Sequence, residues 1–271
     1  MTSDIFLGPT EAPLTVRPYV EKMTDSELFT VMVGGLASVA GSTLVGYSLL
    51  GAPLDYLLAA AFMSAPAALL MAKVMMPETE EPESRAPTPE DEALLEEVLD
   101  DRNVIDAAAR GAAEGLRLAL NVGAMLIAFI SLIALVNLIL GSIGGLFGFE
   151  ELSLQLVLGY VFAPVAFAIG VPWNEVLDAG SFIGQKVILN EFVAYSNFGP
   201  RVDEFSEKTV AIVTFALAGF ANFGTIAILL GGVGGMAPSR RSQIAQFGIR
   251  ALIAGTLANL LNAAIAGMLI G

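Results

Sequence analysis

Six stretches of the chain carry no charged side chain: residues 28–54, 56–72, 118–149, 152–174, 209–239 and 251–271. A bilayer's hydrocarbon core takes roughly 20 apolar residues as helix, so each stretch is a candidate membrane segment, with 56–72 near the short limit. Several contain helix breakers: Gly34-Gly35, Pro66, Pro164 and the Gly231–Gly235 cluster. Backbone without water must satisfy its own polar groups, so such breaks belong inside protein or beside a cavity. The pattern predicts an all-α polytopic membrane protein with broken transmembrane helices.

The polar segments add the connections. Residues 1–27 lack a basic start and a long apolar run, so they read as neither signal peptide nor spanning helix. Glu11, set among apolar residues, Gly8 and two prolines, instead suggests the tip of a re-entrant hairpin. Residues 78–101 hold eleven acids and one Arg, which accounts for ten of the fourteen net negative charges of the 271-residue chain. That stretch reads as a solvated loop running into a short helix near 90–99. Residues 103–118 space Arg110, Glu114 and Arg117 among small apolar residues, the pattern of an amphipathic, surface-lying helix. Arg240-Arg241 puts the loop before the last segment in the cytoplasm by the positive-inside rule, and the C-terminus outside. Four regions follow: 1–77, a first repeat; 78–102, an acidic cytoplasmic loop; 103–150, an interfacial helix and a membrane helix; and 151–271, a second repeat.

The repeat rests on two motif pairs. Thr10-Glu11 precedes Gly35-Leu36-Ala37-Ser38, and Asn190-Glu191 precedes Gly219-Phe220-Ala221-Asn222; the glutamates are 180 residues apart and the glycine motifs 184. Each half reads as a hairpin bearing a polar residue and a glutamate, then a broken helix with a small or polar kink. Corresponding broken elements in two halves point to a site at their interface.

Composition narrows the chemistry. The chain is 55% hydrophobic and only 15% charged, with a mean hydropathy of +0.73, beyond the range of ordinary soluble domains. It has no Cys and no His, which excludes thiolate and imidazole metal sites, cysteine nucleophiles and Ser-His-Asp triads. No basic region invites nucleic acid. A carboxylate in mid-membrane costs about 2.5–3.5 kcal/mol, so Glu11 and Glu191 either face water at an interface or serve a substrate or ion. Asn222, Thr225 and Ser38, taken singly, read as helix–helix hydrogen bonding. Lys186 reads as a snorkelling cation or an ion-pair partner, in a structural role. Gly231–Gly235 reads as close helix packing or a helix end, and Trp173 as an interfacial anchor. An intramembrane carboxylate enzyme would need paired acids within about 5–10 Å, whereas the two glutamates lie on opposite hairpins with no nucleophile beside them.

Thr10–Leu14 (TEAPL) with Arg17-Pro18-Tyr19, Met32–Ser42 (MVGGLASVAGS), Met63–Leu69 (MSAPAAL), Asn190–Tyr195 (NEFVAY), Gly219–Phe223 (GFANF), Ala251-Leu252 and Leu261-Asn262-Ala263 occur in that order. In these motifs the chain resembles the concentrative nucleoside transporters. The resemblance implies a secondary active nucleoside:cation symporter, multi-pass in the cell's inner (plasma) membrane and assembled as a homotrimer, with no cofactor beyond a coupling ion, sodium or a proton. It implies that Thr10 and Glu11 face the nucleobase and that Glu191, Asn222 and Thr225 bind the ribose. Sodium would be held by Asp4 and Ser38 with the carbonyls of Leu7 and Val39. Three positions depart from the family pattern: Pro9 replaces a base-reading Gln, Asp4 an Asn, and Thr225 a Ser. Family members also carry helices upstream of the point where this sequence starts, so the resemblance implies the transport-domain part. The alternative is a recognition or gate module that needs a separate N-terminal scaffold.

Overall fold

A computed structural model of the chain describes residues 8, 12–82, 104–149 and 151–270. Asp4, Leu7, Thr10 and Glu11 therefore lie outside the described residues, as does the acidic stretch from 83 to 103 with its expected helix.

The described residues form ten α-helices and no strand. They are α1 Asp25–Ala37, α2 Gly41–Leu49, α3 Leu54–Met75, α4 Val104–Leu146, α5 Leu154–Ala168, α6 Val176–Ile188, α7 Glu191–Phe198, α8 Glu207–Leu217, α9 Phe223–Met236 and α10 Arg241–Ile270. Four segments are long and apolar enough to cross a membrane: Asp25–Leu49, Leu54–Met75, Ala119–Leu146 and Pro238–Ile270. The apolar part of α4 is almost entirely uncovered, presenting Leu120, Ile127, Ile130, Leu135 and Leu138 outward. So much exposed aliphatic surface is stable in hydrocarbon and not in water. This is a membrane protein.

Helix starts follow local chemistry. Thr24 opens α1 with a reciprocal capping box: its hydroxyl accepts from Glu27 N at 3.1 Å, and its own N–H donates to the Glu27 carboxylate at 3.0 Å. Ser153, Asn190, Ser206 and Asn222 cap α5, α7, α8 and α9 in the same side-chain-to-backbone manner. At the surface Glu175 ties the start of α6 to that of α8, accepting from Ser206 N at 3.0 Å and Ser206 Oγ at 2.8 Å. Partial burial pushes its carboxyl up, but hydrogen bonds from Thr209 and Ser206 outweigh this and hold it below the usual range.

Helix ends correct several expectations. Gly34-Gly35 lie inside α1, Pro66 inside α3, Pro164 inside α5, and Gly231–Gly235 inside α9, which ends just beyond them at Met236. A proline removes one backbone donor without stopping a helix that its neighbours pack in place. The interruptions fall instead at residues 38–40, between α1 and α2, and 218–222, between α8 and α9. Phe220 N donates to Ser38 O at 3.2 Å, so each irregular segment takes up a backbone group of the other. Nor is the surface helix of 103–118 separate. Residues 104–146 form one continuous helix, with no proline to stop it.

α10 is the central post, packing on α1, α3, α8 and α9. α5 and α6 pack along a seam of glycines. A Cβ at Gly180 would lie 2.8 Å from both Ala163 N and Gly159 O, and one at Gly184 would lie 2.9 Å from Leu158 Cβ. This spacing, small residue to small residue one turn on, lets membrane helices touch backbone to backbone. Gly180→Ala should lower stability by about 1–3 kcal/mol, because only main-chain atoms stand in the way. Gly231, with nothing within 4 Å of an added Cβ, should accept Ala with a change within roughly 1 kcal/mol. Thermal unfolding of the two variants in detergent checks the contrast; equal melting temperatures would rule out the seam.

Candidate functional site

The site is assembled where α7 begins. α6 stops at Ile188, and Asn190 takes an extended conformation (φ −167°) with its Oδ1 accepting from Val193 N at 2.9 Å. That cap makes Glu191 the first residue of α7, where the helix dipole favours a negative charge. Glu191 is only 4% exposed. Its Oε2 accepts from Asn222 Nδ2 at 2.9 Å and its Oε1 from Tyr47 OH at 3.2 Å.

Asn222 faces Glu191 for a reason that is also local. It caps α9, its Oδ1 accepting from Thr225 N at 2.9 Å and from Thr225 Oγ1 at 3.1 Å. With the oxygen committed to the helix, the NH2 group must point away from it, and it meets the carboxylate. Tyr47, on α2, is held by its ring. It stacks on Tyr195 with centroids 4.6 Å apart and meets the edge of Phe192 at 4.8 Å. Tyr195 is fixed in turn by its hydroxyl donating to Thr214 O at 2.8 Å. The cluster thus joins Glu191 at the start of α7 to Tyr47 on α2 and to Asn222 and Thr225 at the start of α9.

Ser38 lies at the first interruption. It is buried, and its Oγ has no hydrogen-bond partner among the described residues. Val39, beside it, is also fully buried. A buried hydroxyl with idle lone pairs is costly unless something claims it, and hydroxyl and carbonyl oxygens are suitable ligands for a hard cation.

Behind the cluster, α10 contributes Asn259. Its Nδ2 donates to Ala37 O at 2.7 Å and Ala218 O at 3.0 Å, and its Oδ1 accepts from Lys186 Nζ at 2.9 Å. Lys186 is 0% exposed, so it does not snorkel; among the described residues its hydrogen bond goes to an amide and not to a carboxylate. Gly219 leaves room for this contact, since a Cβ there would lie 2.4 Å from Asn259 Oδ1 and 2.7 Å from Ala37 O.

Of the residues singled out in the sequence, Glu191, Asn222 and Thr225 come together in one hydrogen-bonded cluster. Ser38 and Val39 sit at the neighbouring interruption. Tyr47 and Asn259 were not anticipated. An Asn in the apolar run 251–271 is the signal that would have pointed to Asn259, but Tyr47 gives no polar signal of its own.

A family model for the C-terminus of Na+ dependent nucleoside transporters matches residues 56–267. The chain is 59% identical over 268 residues to the uncharacterized transporter YutK of Bacillus subtilis, covering 99% of this chain and 65% of that protein. It is 47% identical over 274 residues to the nucleoside permease NupC of Helicobacter pylori, covering 99% and 64%. Among solved structures, CNTnw in an inward-facing substrate-bound state aligns with a TM-score of 0.89 at 53% identity, over 98% of this chain and 62% of that one. The chain therefore spans just under two thirds of the length of these relatives.

The two duties of Asn222 can be separated. Asp caps a helix as well as Asn but would set a second carboxylate against Glu191, whereas Ser keeps the cap without the charge. Asn222→Asp should melt at a lower temperature than Asn222→Ser in detergent. The reverse order would mean that Glu191 is not facing this residue.

Proposed function

The chain belongs to the concentrative nucleoside transporter family, and from that membership we propose that it carries the substrate and ion sites of a nucleoside:cation symporter. The observation that supports this most directly is the buried Tyr47–Glu191–Asn222–Thr225 cluster, which presents both hydrogen-bond acceptors and donors in an apolar surround. A ribose offers hydroxyls that donate and accept, and a dry pocket must supply partners for both.

In this reading α1–α2 and α8–α9 are broken transmembrane helices of an inverted-repeat transporter, and α6–α7 is a re-entrant hairpin. Glu191 accepts from ribose hydroxyls, with Asn222 and Thr225 completing the ribose contacts. Thr10 and Glu11 face the base from the first hairpin. The coupling ion, sodium, is bound by Asp4 and Ser38 with the carbonyls of Leu7 and Val39; the partnerless Ser38 hydroxyl supports that assignment. Ion binding orders the first hairpin, nucleoside bridges the two hairpins, and the loaded domain changes its access from one side of the membrane to the other. The protein is multi-pass in the cytoplasmic membrane and assembles as three copies. No covalent step is required.

Uptake of radiolabelled uridine and adenosine into transporter-deficient cells, with sodium or with choline in its place, tests the proposal. Sodium-dependent uptake of either nucleoside is the expected result; uptake indifferent to sodium would move the coupling to protons, through Asp4. Glu191→Gln removes a charge-assisted acceptor and should weaken nucleoside binding by more than tenfold, on the order of 1.4 kcal/mol. Unchanged binding by that variant would falsify the ribose assignment.

A further inference from the structure

The Lys186–Asn259 pair lies outside the nucleoside cluster yet reaches the ends of both α1 and α8, just before the segments that lead to it. Lys186 is on α6, five residues before Glu191. Asn259 is on α10 and reaches the last carbonyls of both α1 and α8, at Ala37 and Ala218. From Ala37 the chain passes to Ser38, whose carbonyl holds Phe220 N. Two residues on, Asn222 donates to Glu191, and through the α6–α7 link the path returns to Lys186. The hydrogen bonds make a closed circuit through the substrate cluster and both interruptions.

Chemistry fixes the direction of this circuit. An ammonium group has donors and no acceptor, so the Asn259 amide must turn its oxygen to Lys186. Both amide N–H groups then face the two helix ends, where carbonyls lack intrahelical partners. Without the ammonium the amide cannot flip, because its oxygen would then face two carbonyl oxygens; its Oδ1 is instead left buried without a donor, and a side chain in that state holds the helix ends less firmly. Lys186 therefore acts on the helix ends without touching them.

We propose that Lys186, by anchoring Asn259 through its Oδ1, is the positioning residue that links the coupling ion at the Ser38 interruption to nucleoside binding at Glu191. The proposal rests on the symport reading above and adds to it the element that carries the linkage. Two sites are linked when occupation of one changes the affinity of the other, and the ratio of the two affinities measures the link. A residue that only supports the fold lowers both affinities together and leaves that ratio alone.

The test is uridine and adenosine binding to the purified protein in detergent, by titration calorimetry, in sodium chloride and in choline chloride. In the unmodified protein sodium should tighten binding of the preferred nucleoside by at least about fivefold, the lower end for coupled sites. Lys186→Met and Asn259→Asp should each bring that ratio to within about twofold of one. Asn259→Asp keeps a partner for Lys186 while losing both donors to the helix ends, and it reads the same ratio should Lys186→Met emerge aggregated. Lys186→Gln retains a donor for Asn259 Oδ1 and should restore most of the ratio. The double variant should be no worse than either single one, as expected of residues acting as a unit.

Folded Lys186→Met or Asn259→Asp protein that keeps the unmodified ratio would overturn the inference while leaving the symport reading intact. Failure of Lys186→Gln to restore it would overturn the anchoring role of the donor to Asn259 Oδ1. Nucleoside binding that is indifferent to sodium in the unmodified protein would remove the sodium-coupled reading, and this inference with it.

Discussion

Interrupting a helix inside a membrane leaves carbonyl and amide groups with no water to receive them, and the whole centre of this molecule is organised around that cost. Two helices stop in mid-course, and their ends are buried. Asn259 takes two of the stranded carbonyls with a single side chain, and the meeting of Ser38 with Phe220 takes another pair of backbone groups. Side-chain caps do the same for the restarting end of α9, through Asn222. Without these partners the extended segments would have no reason to persist, and helix would close over them.

The same economy explains how a carboxylate comes to be buried here. Glu191 is held by a helix N-terminus, a tyrosine hydroxyl and an amide whose other end is already occupied. Each partner is fixed by something else: Tyr47 by two aromatic rings, Asn222 by α9. The acceptor is therefore pre-positioned, and in the symport reading we propose, a ligand's hydroxyls would meet a carboxyl group whose orientation has already been settled. Little ordering remains for the moment of binding, which is where affinity is usually lost.

Much of this could be read from the sequence, and the failures have a common cause. Charge-free runs located the apolar segments; of the G-[LF]-A-[SN] motifs, Gly219–Asn222 lies between α8 and α9, whereas Gly35-Leu36-Ala37 closes α1 and Ser38 alone falls beyond it. Gly34-Gly35, Pro66 and Pro164 did not interrupt anything, because in a packed helix a proline costs one hydrogen bond and a glycine only conformational entropy, and neither supplies an alternative path. The real breaks are set by contact between segments 180 residues apart, which no local window contains. For Lys186 the sequence left a snorkelling cation and an ion-pair partner both open, because its amide partner on α10 is 73 residues away and no local window contains it. Tyr47 was overlooked because an aromatic residue in a membrane segment carries no visible polarity. Asp4, Leu7, Thr10 and Glu11 lie outside the described residues, and their roles rest on the family resemblance.

The closeness of Gly219 to Asn259 constrains how this sequence can drift over generations. Any side chain at 219 would collide with the Asn259 amide, and a smaller residue at 259 would strand two carbonyls and a buried ammonium at once. Neither position can change first without loss, and Lys186 has no reason to stay if Asn259 goes. The three residues are tied into one heritable unit, so that variation in this part of the lineage must arrive as a coordinated exchange or not at all.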